Sequence, residues 1–299
     1  MPVDNWDEIR TAYHVARLGT VSGAAEVLGV HHATVIRHID ALEARWGTKL
    51  FQRHARGYTA TEAGNDLLQV AASTDDKFSQ LVGRIRGRGD EVTGELIITT
   101  VSGLAALLLP SLTKFQEMHP GLIVRFLTGE RVFRLEYGEA HVAIRAGKSP
   151  EEPDNVVQPF CRQYGAMYAS KSYVAAHGVP QSDADLEGHR FICHDSETAR
   201  SPFDRWIRDN VPDTQITFRA TEQFVMQRAV IAGAGIGFMS FWEAEHYPDL
   251  VQMLPPRDEW MAPLWLVTHV DLHRTMKVQT FTNFLKAEAE HWPLARYQP

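Results

Sequence analysis

Cysteine is nearly absent: Cys161 and Cys193 are the only two in 299 residues, each set in an apolar stretch. A disulfide framework is therefore excluded, and both read as small buried hydrophobes of a reducing compartment. No run of about 18 apolar residues occurs, so no membrane partner is expected. The first residues, Met1-Pro-Val-Asp-Asn-Trp6, lack a basic segment followed by an apolar core, which predicts a cytoplasmic protein. Catalytic and metal signatures are missing as well: there is no G-x-S-x-G, no H-E-x-x-H and no Cys-x-x-Cys. His31 and His32 are adjacent, a spacing that cannot turn both rings to one ion from a helix face. Gly233-Ala-Gly-Ile-Gly237 has Phe238 where a dinucleotide fingerprint needs its third glycine, and it follows a helical pattern instead of a strand. It reads as a tight helix-to-strand turn. The sequence thus predicts no enzyme, no metal and no cofactor.

What is present is ordinary globular material, 44% hydrophobic and 22% charged, in a chain long enough for two or three domains. The net charge of −7 opposes a nucleic-acid partner until its distribution is considered. Residues 1 to 90 hold eleven lysines and arginines and eleven aspartates and glutamates, so the whole deficit belongs to the rest of the chain. Arg37, Lys49, Arg53 and Arg56, with His31, His32, His38 and His54, gather in the first segment. A local basic face is sufficient for phosphate contacts.

That segment is organised by Gly19 to Glu43, two short helical patterns around Gly29. Ser22 is expected to cap the first, and Ala24, Ala25 and Leu28 give it a small flat apolar face. Gly29 supplies a left-handed turn. In the second, Val35, Ile39 and Leu42 recur at helical spacing toward the core, which points His32, Thr34, Arg37 and His38 outward. Such a face suits a major groove. Arg53 and Arg56, without apolar neighbours, flank a hairpin-like wing, and Thr61-Glu62 starts a further helix running to about Arg88. Asp4 or Asn5 caps a first helix whose Trp6, Ile9, Tyr13 and Ala16 pack behind the pair.

The residues Ala24-Ala25, Leu28, Val30, Val35, Ile39, Leu42-Glu43, Gly47, Leu50-Phe51, Arg53, Thr61 and Ala63-Gly64 closely resemble the N-terminal domain of LysR-type transcriptional regulators. The resemblance implies a winged helix-turn-helix over 1–60 and a linker helix with hinge over 61–93. Leu67, Ala71, Phe78, Leu81 and Ile85 would dimerise that helix. Gly87 to Gly94 is a polar, glycine-rich connector.

Beyond it, short apolar runs alternate with helical segments, the rhythm of two α/β units. Strands are expected at Leu96–Val101, Ile123–Leu127, His141–Arg145, Ala166–Ala169, Phe191–His194, Ile216–Ala220, Ile236–Phe241 and Leu264–Val270. Helices are expected at Gly103–His119, Val132–Gly138, Lys171–His177, Ser201–Asp209, Thr221–Ala232 and Arg274–Trp292. Leu109 to Gly121, Leu135 to Gly147 and Ala232 to Phe238 resemble the family's two-lobed, periplasmic-binding-protein-like effector domain. The implied architecture is multi-domain: an all-α winged helix-turn-helix with its linker helix, then an α/β domain over 94–299. Lobe I takes about 94–163 and 269–299, and lobe II about 164–268. His141 replaces the family's usual aspartate.

Ligands of such folds sit at strand carboxyl ends. The candidate effector contacts are therefore Ser102 and Gly103 after the first strand, Thr128 and Gly129 after the next, Arg145 after the third and His194 in the second lobe. By resemblance Ser102 and Thr128 line the pocket. Free N–H groups, a hydroxyl and Arg145 favour an organic anion. The candidate DNA contacts are Ser22, His31, His32, Thr34, Arg37, His38, Arg53 and Arg56. Where the family commonly carries Ser-Gln-Pro-Ala/Ser-Val-Ser-Arg, this chain has His31-His-Ala-Thr-Val-Ile-Arg37, so Ile36 either offers an apolar contact, as to a thymine methyl, or packs inside. The resemblance also implies operator DNA, a small-molecule effector, RNA polymerase and further copies of the chain, as a dimer or tetramer, as partners. The rival reading is a solute-binding or α/β enzyme domain fused to a DNA-binding module.

Overall fold

The structure, a computed structural model, describes residues 5–54, 57–85, 92–129, 131–196, 199 and 201–292. Arg56, Asp4 and most of the connector after residue 85 lie outside the described residues, as does the side chain of Ile85. The Asn5 side chain accepts from Asp7 N to start α1 (Trp6–Leu18), which ends on left-handed Gly19. α2 (Val21–Leu28) and α3 (His32–Trp46) follow around Gly29 at φ 66°. The cap of α2 corrects the sequence reading. Thr20, still extended, accepts from Gly23 N, whereas Ser22 is already inside the helix and exposed. Ile9, Tyr13, Ala24, Ala25, Val35, Ile39 and Leu42 close one core under the helix pair.

β1 (Phe51–His54) and β2 (Gly57–Ala60) form the wing as an antiparallel hairpin. Tyr58 N donates to Gly19 O at 2.8 Å, which seats the wing on the end of α1. A Cβ on Gly57 would lie 2.4 Å from that same Gly19 oxygen, so only glycine allows the approach. α4 (Glu62–Ile85) then begins with Thr61 accepting from Gly64 N. Leu67 and Ala71 are buried in the DNA-binding unit's own core. They are therefore not available to a partner helix, contrary to expectation, and the exposed large apolar residues of α4, among the described ones, are Val70, Phe78 and Leu81. Phe78 meets Trp6 edge to face at 5.6 Å.

The rest of the chain runs through β3 (Gly94–Thr100), α5 (Ala105–Met118), β4 (Leu122–Thr128), β5 (Val142–Ala146), β6 (Asn155–Ser170), α6 (Lys171–His177), β7 (Phe191–His194), α7 (Pro202–Asn210) and β8 (Ile216–Ala220). It continues through α8 (Gln223–Ile231), β9 (Gly237–Ser240), α9 (Phe241–Ala244), β10 (Leu250–Gln252), β11 (Met261–His269), α10 (Val270–His273) and α11 (Met276–Ala289). Among the described residues a seven-stranded sheet runs β10-β6-β11-β5-β3-β4, with β9 also on β6. β3 pairs parallel with both β4 and β5, while β6 and β11 are antiparallel. Parallel β7 and β8 form a small second sheet.

Two cores flank the bridge made by β6 and β11. One contains Leu96, Ile98, Phe115, Val142, Leu264, Leu266 and Phe281, the other Met167, Phe191, Trp206, Val230, Phe238 and Trp260. The expected strand at Ala166–Ala169 is only the end of the sixteen-residue β6. Its first half is hidden in sequence by Pro159, which sits at a register shift against Trp265. The helix expected over Val132–Gly138 shrinks to one 3-10 turn, Leu135–Tyr137, stopped by left-handed Gly138.

One carboxylate joins recognition helix and wing. Glu43 Oε1 accepts from Leu50 N (2.9 Å) and Phe51 N (3.2 Å), while Oε2 meets Lys49 Nζ (2.6 Å) and an Arg53 guanidinium nitrogen (3.3 Å). Burial raises its pKa, but the Lys49 hydrogen bond, the two backbone N–H groups and the Lys49 charge outweigh that and hold it below the ordinary 4.5. With the folded value depressed, this stabilisation is present above pH 4.5 and lost as pH falls through the folded value. Glu43→Gln should cost about 1–3 kcal/mol at neutral pH. Urea denaturation of the intact protein checks it: the gap between wild type and variant should be open at pH 7 and narrow toward pH 4.

Candidate DNA-reading face and effector cleft

α3 turns His32, Ala33, Ile36, Arg37 and Asp40 to solvent, with His31 exposed just ahead of it and Thr34 half-buried. His31, at the N-cap, makes no side-chain cap bond, and among the described residues neither the His32 nor the Arg37 side chain has a hydrogen bond or ion pair. Free donors thus cluster at the start of the helix, where its dipole is positive. His38 departs from the expected outward set. Its Nδ1 lies 2.9 Å from Thr11 Oγ1, so the ring spans α1 and α3 inside the motif. Ile36 stays outside, apart from the core.

Arg53 is likewise more engaged than its sequence neighbours predict. It stands opposite Tyr58 in the hairpin register, packs its guanidinium 5.4 Å from that ring, and pairs with Asp40 at 2.5 Å. Asp40 and Glu43 therefore hold the wing arginine against α3. Lys49 keeps most of its side chain in solvent beside it.

In the regulatory part, the carboxyl ends of the parallel strands lie side by side. Thr100 pairs with Thr128 and with Ile144, and Gly129 N donates to Thr100 O at 3.2 Å. Ser102, Gly103, Thr128 and Gly129 are brought together by this register. Ser102 and Gly103 form a 3-10 turn ahead of α5, and Thr128 is exposed. A Cβ on Gly103 would come within 3.3 Å of Gln223 Cγ, so α8, from the other lobe, closes on this turn. Gln223 thus adjoins the candidate site, which the sequence reading did not anticipate. Its position shortly after β8 was the available signal.

Arg145 does not offer a free charge. Its guanidinium binds Glu152 Oε1 and Phe133 O, both at 3.1 Å, and only 18% of the side chain is exposed. Burial raises the Glu152 pKa, yet its backbone bond and Arg145 bring it below the ordinary value. His141, in the family's aspartate position, accepts from Ile97 N at 2.8 Å through Nδ1, while its own backbone N–H donates to Ile97 O. His194 accepts from Ser196 N at 2.9 Å through Nδ1. That leaves the proton on Nε2, a buried donor without a partner among the described residues.

A half-buried carboxyl that the sequence reading did not single out lies on the short helix α9. α9 straddles the lobes: Phe241 and Ala244 pack into the second core, Trp242 into the first. Between them Glu243 receives Gln227 Nε2 at 2.5 Å and Ser240 Oγ at 3.4 Å. Burial pushes its pKa up to about 7, against the lowering effects of Ser240, His246, Arg228 and Gln227. From pH 4.5 to about 7 the unfolded chain releases this proton while the folded chain keeps it, so native stability falls through that window and is level above it. Glu243→Gln keeps the amide contact without the charge and should stabilise the protein by about 2 kcal/mol above pH 7. Urea titrations at pH 5 and pH 8 decide it; an equal gain at both would mean that the carboxyl does not titrate there.

The geometry agrees with comparison to known proteins. Residues 6–65 match the bacterial regulatory helix-turn-helix protein, lysR family, and residues 89–290 match the LysR substrate binding domain. The HTH-type transcriptional regulator IlvY of Escherichia coli K12 is 27% identical over 269 residues, 87% of this chain and 90% of that one. The E. coli K12 protein named uncharacterized HTH-type transcriptional regulator YhjC is 31% identical over 179 residues, and the match spans 60% of its length and 60% of this chain. A full-length OxyR variant from Pseudomonas aeruginosa superposes over 100% of both chains with a TM-score of 0.76 at 15% identity, a likeness of fold. A reading helix with free donors, a wing fixed to it and a two-lobed substrate-binding domain covering most of the sequence place this chain in the LysR family of transcriptional regulators.

Proposed function

We propose that this chain is a cytoplasmic, homo-oligomeric regulator that binds operator DNA through α3 and the wing and answers to a small organic anion in the cleft. The division of labour runs 1–60 for DNA, 61–93 for dimerisation and hinge, and 94–299 for the effector. The observation that carries it is the set of uncommitted donors at α3: Arg37 with His31 and His32, beside a wing whose Lys49 extends into solvent within reach of phosphate. Arg37 reads or anchors base edges, Ser22, Thr34 and Lys49 engage the backbone, and Arg53 and Arg56 extend the footprint along the wing. Exposed Val70, Phe78 and Leu81 on α4 supply the apolar face for a second copy. Effector binding changes the spacing of paired DNA-binding units and thereby their contacts with DNA and RNA polymerase.

For the effector, supporting donors are the Ser102 hydroxyl and turn, the Thr128 hydroxyl and the His194 Nε2, which has no partner among the described residues. Arg145 is spent on Glu152, so the anion is met by N–H and O–H groups.

Arg37→Ala should weaken binding to the operator by about 1–3 kcal/mol with the melting temperature unchanged. A gel shift on the DNA upstream of the protein's own gene, at one fixed salt concentration, measures this. Unchanged affinity would falsify the assignment of Arg37.

A thermal-shift screen of small organic acids tests the cleft, since a ligand at 100 times its dissociation constant stabilises the native state by about 2.7 kcal/mol. Ser102→Ala and His194→Ala should each lower that affinity by about 0.5–3 kcal/mol while leaving operator binding near wild type. Shifts from neutral or cationic compounds alone would discard the anion.

A further inference from the structure

The solvent face of α3 is not uniformly polar. Val35, Ile39 and Leu42 have no exposure and fix the helix on its core. The opposite stripe, His32, Ala33, Ile36, Arg37 and Asp40, follows one side of the helix. In the middle of it Ile36 leaves 37% of its surface in water and does not pack against the core cluster. Asp40 is tied to Arg53, so the stripe presents an imidazole, a small apolar surface and a free guanidinium.

Single exposed apolar residues are common on protein surfaces. This one differs by its place: it adjoins the uncommitted Arg37 on the exposed stripe of α3. A major groove offers polar atoms at every base pair but one kind of apolar group, the C5-methyl of thymine. Isoleucine is suited to meet it, because in a helix its branched side chain is held almost entirely in one χ1 rotamer and loses little freedom on contact. Arg37 next to it has the bidentate geometry for guanine O6 and N7.

We propose that Ile36 is a specificity-determining residue that reads a thymine methyl, within one or two base pairs of a guanine read by Arg37. This rests on the reading above that α3 enters the major groove of operator DNA. It also accounts for an apolar side chain at a position where the fold itself asks for a polar one.

The test uses the intact protein. Binding sites are selected from a randomised duplex pool, and each thymine of the selected site is replaced singly by deoxyuridine, which removes only the methyl group. Affinity is then followed by fluorescence anisotropy at one salt concentration. For wild type, one thymine per half-site should show an approximately fourfold loss on replacement, the equivalent of about 0.8 kcal/mol for one buried methyl-sized group. Ile36→Ser, an exposed change that leaves the core intact, should bind thymine and uracil sites alike, and sites selected with it should no longer fix that thymine. Indifference of wild type to every replacement overturns the proposal, as does the same uracil sensitivity in Ile36→Ser. If the pool yields no enriched sequence at all, the operator reading falls and this inference with it; enrichment without methyl sensitivity removes the inference alone.

Discussion

The antiparallel pairing of β6 with β11 is what the regulatory architecture hangs on. β6 pairs with β11 from Asn155 to Tyr164 and with β9 and β10 from Gly165 to Ser170, so one continuous strand belongs first to one lobe and then to the other. The change of partner falls at Gly165, where a Cβ would come within 2.8 Å of Phe203 and 2.9 Å of Met239 O. Close packing there and a register shift at Pro159 leave the bridge narrow between two well-filled cores. Packed cores resist continuous deformation, so relative motion concentrates in such bridges. Where the lobes meet, the carboxyl ends of β3 and β4 lie side by side, Gln223 of α8 closes on the turn after β3, and α9 packs Phe241 and Ala244 into one core and Trp242 into the other.

The DNA-binding unit solves a different problem with a single side chain. A wing of eight paired residues cannot hold itself against a helix by burial alone, and among its described residues Phe51 is the only large apolar side chain that is buried. Glu43 supplies the join, because its two oxygens satisfy backbone donors of the wing's entry and two cations on either side. Asp40 repeats the contact one turn earlier by holding Arg53. Recognition helix and wing consequently form one body, with the spacing between Arg37 and the wing cations set before DNA arrives. Preorganisation of this kind reduces the ordering cost of binding.

How legible this was in the sequence depended on whether a feature was local. The helix pair, Gly29, the Asn5 cap and strands such as Phe191–His194 follow from periodicity and turn chemistry, and the structure has them where the pattern put them. Features set by distant residues were not readable. The length of β6 depends on partners a hundred residues away, and Pro159 and Gly165 disguise it in sequence. His38 looked outward by helical phase, yet Thr11 across the motif provides a partner. Arg53 looked free because its neighbours in sequence are polar, whereas Tyr58, Asp40 and Glu43 become neighbours only once the hairpin closes. Arg145 ends its strand as expected, but Glu152 and the Phe133 carbonyl claim it through loop geometry that no spacing rule encodes. The strand-end rule pointed to Ser102 and Thr128, which the parallel register does set close together. It could not supply Gln223, which α8 brings against the Ser102-Gly103 turn only when one lobe folds on the other.

The same distinction governs how the two halves of the molecule meet. Arg17, in the last turn of α1, pairs with Glu95 at the start of β3 at 2.8 Å, and Arg125 approaches the same carboxylate at 3.5 Å. Lys277 of α11 reaches the Glu95 carbonyl, and Gln69 of α4 lies 3.3 Å from His269 at the end of β11. The Arg17 and Glu95 side chains are about one third exposed, and exposed ion pairs contribute roughly 0–1 kcal/mol each. Among the described residues no hydrophobic core cluster spans both halves, and where α4 nears the turn after Tyr137 the approach is Ala72 to Gly138, 3.7 Å to a Cβ built on the glycine. Contacts of that strength hold an orientation without locking it. A ligand that distinguishes two arrangements of the lobes by about 1–3 kcal/mol is then comparable in energy to the seat itself, and β3 and β11 carry both the lobe I core and the contacts with α1 and α4.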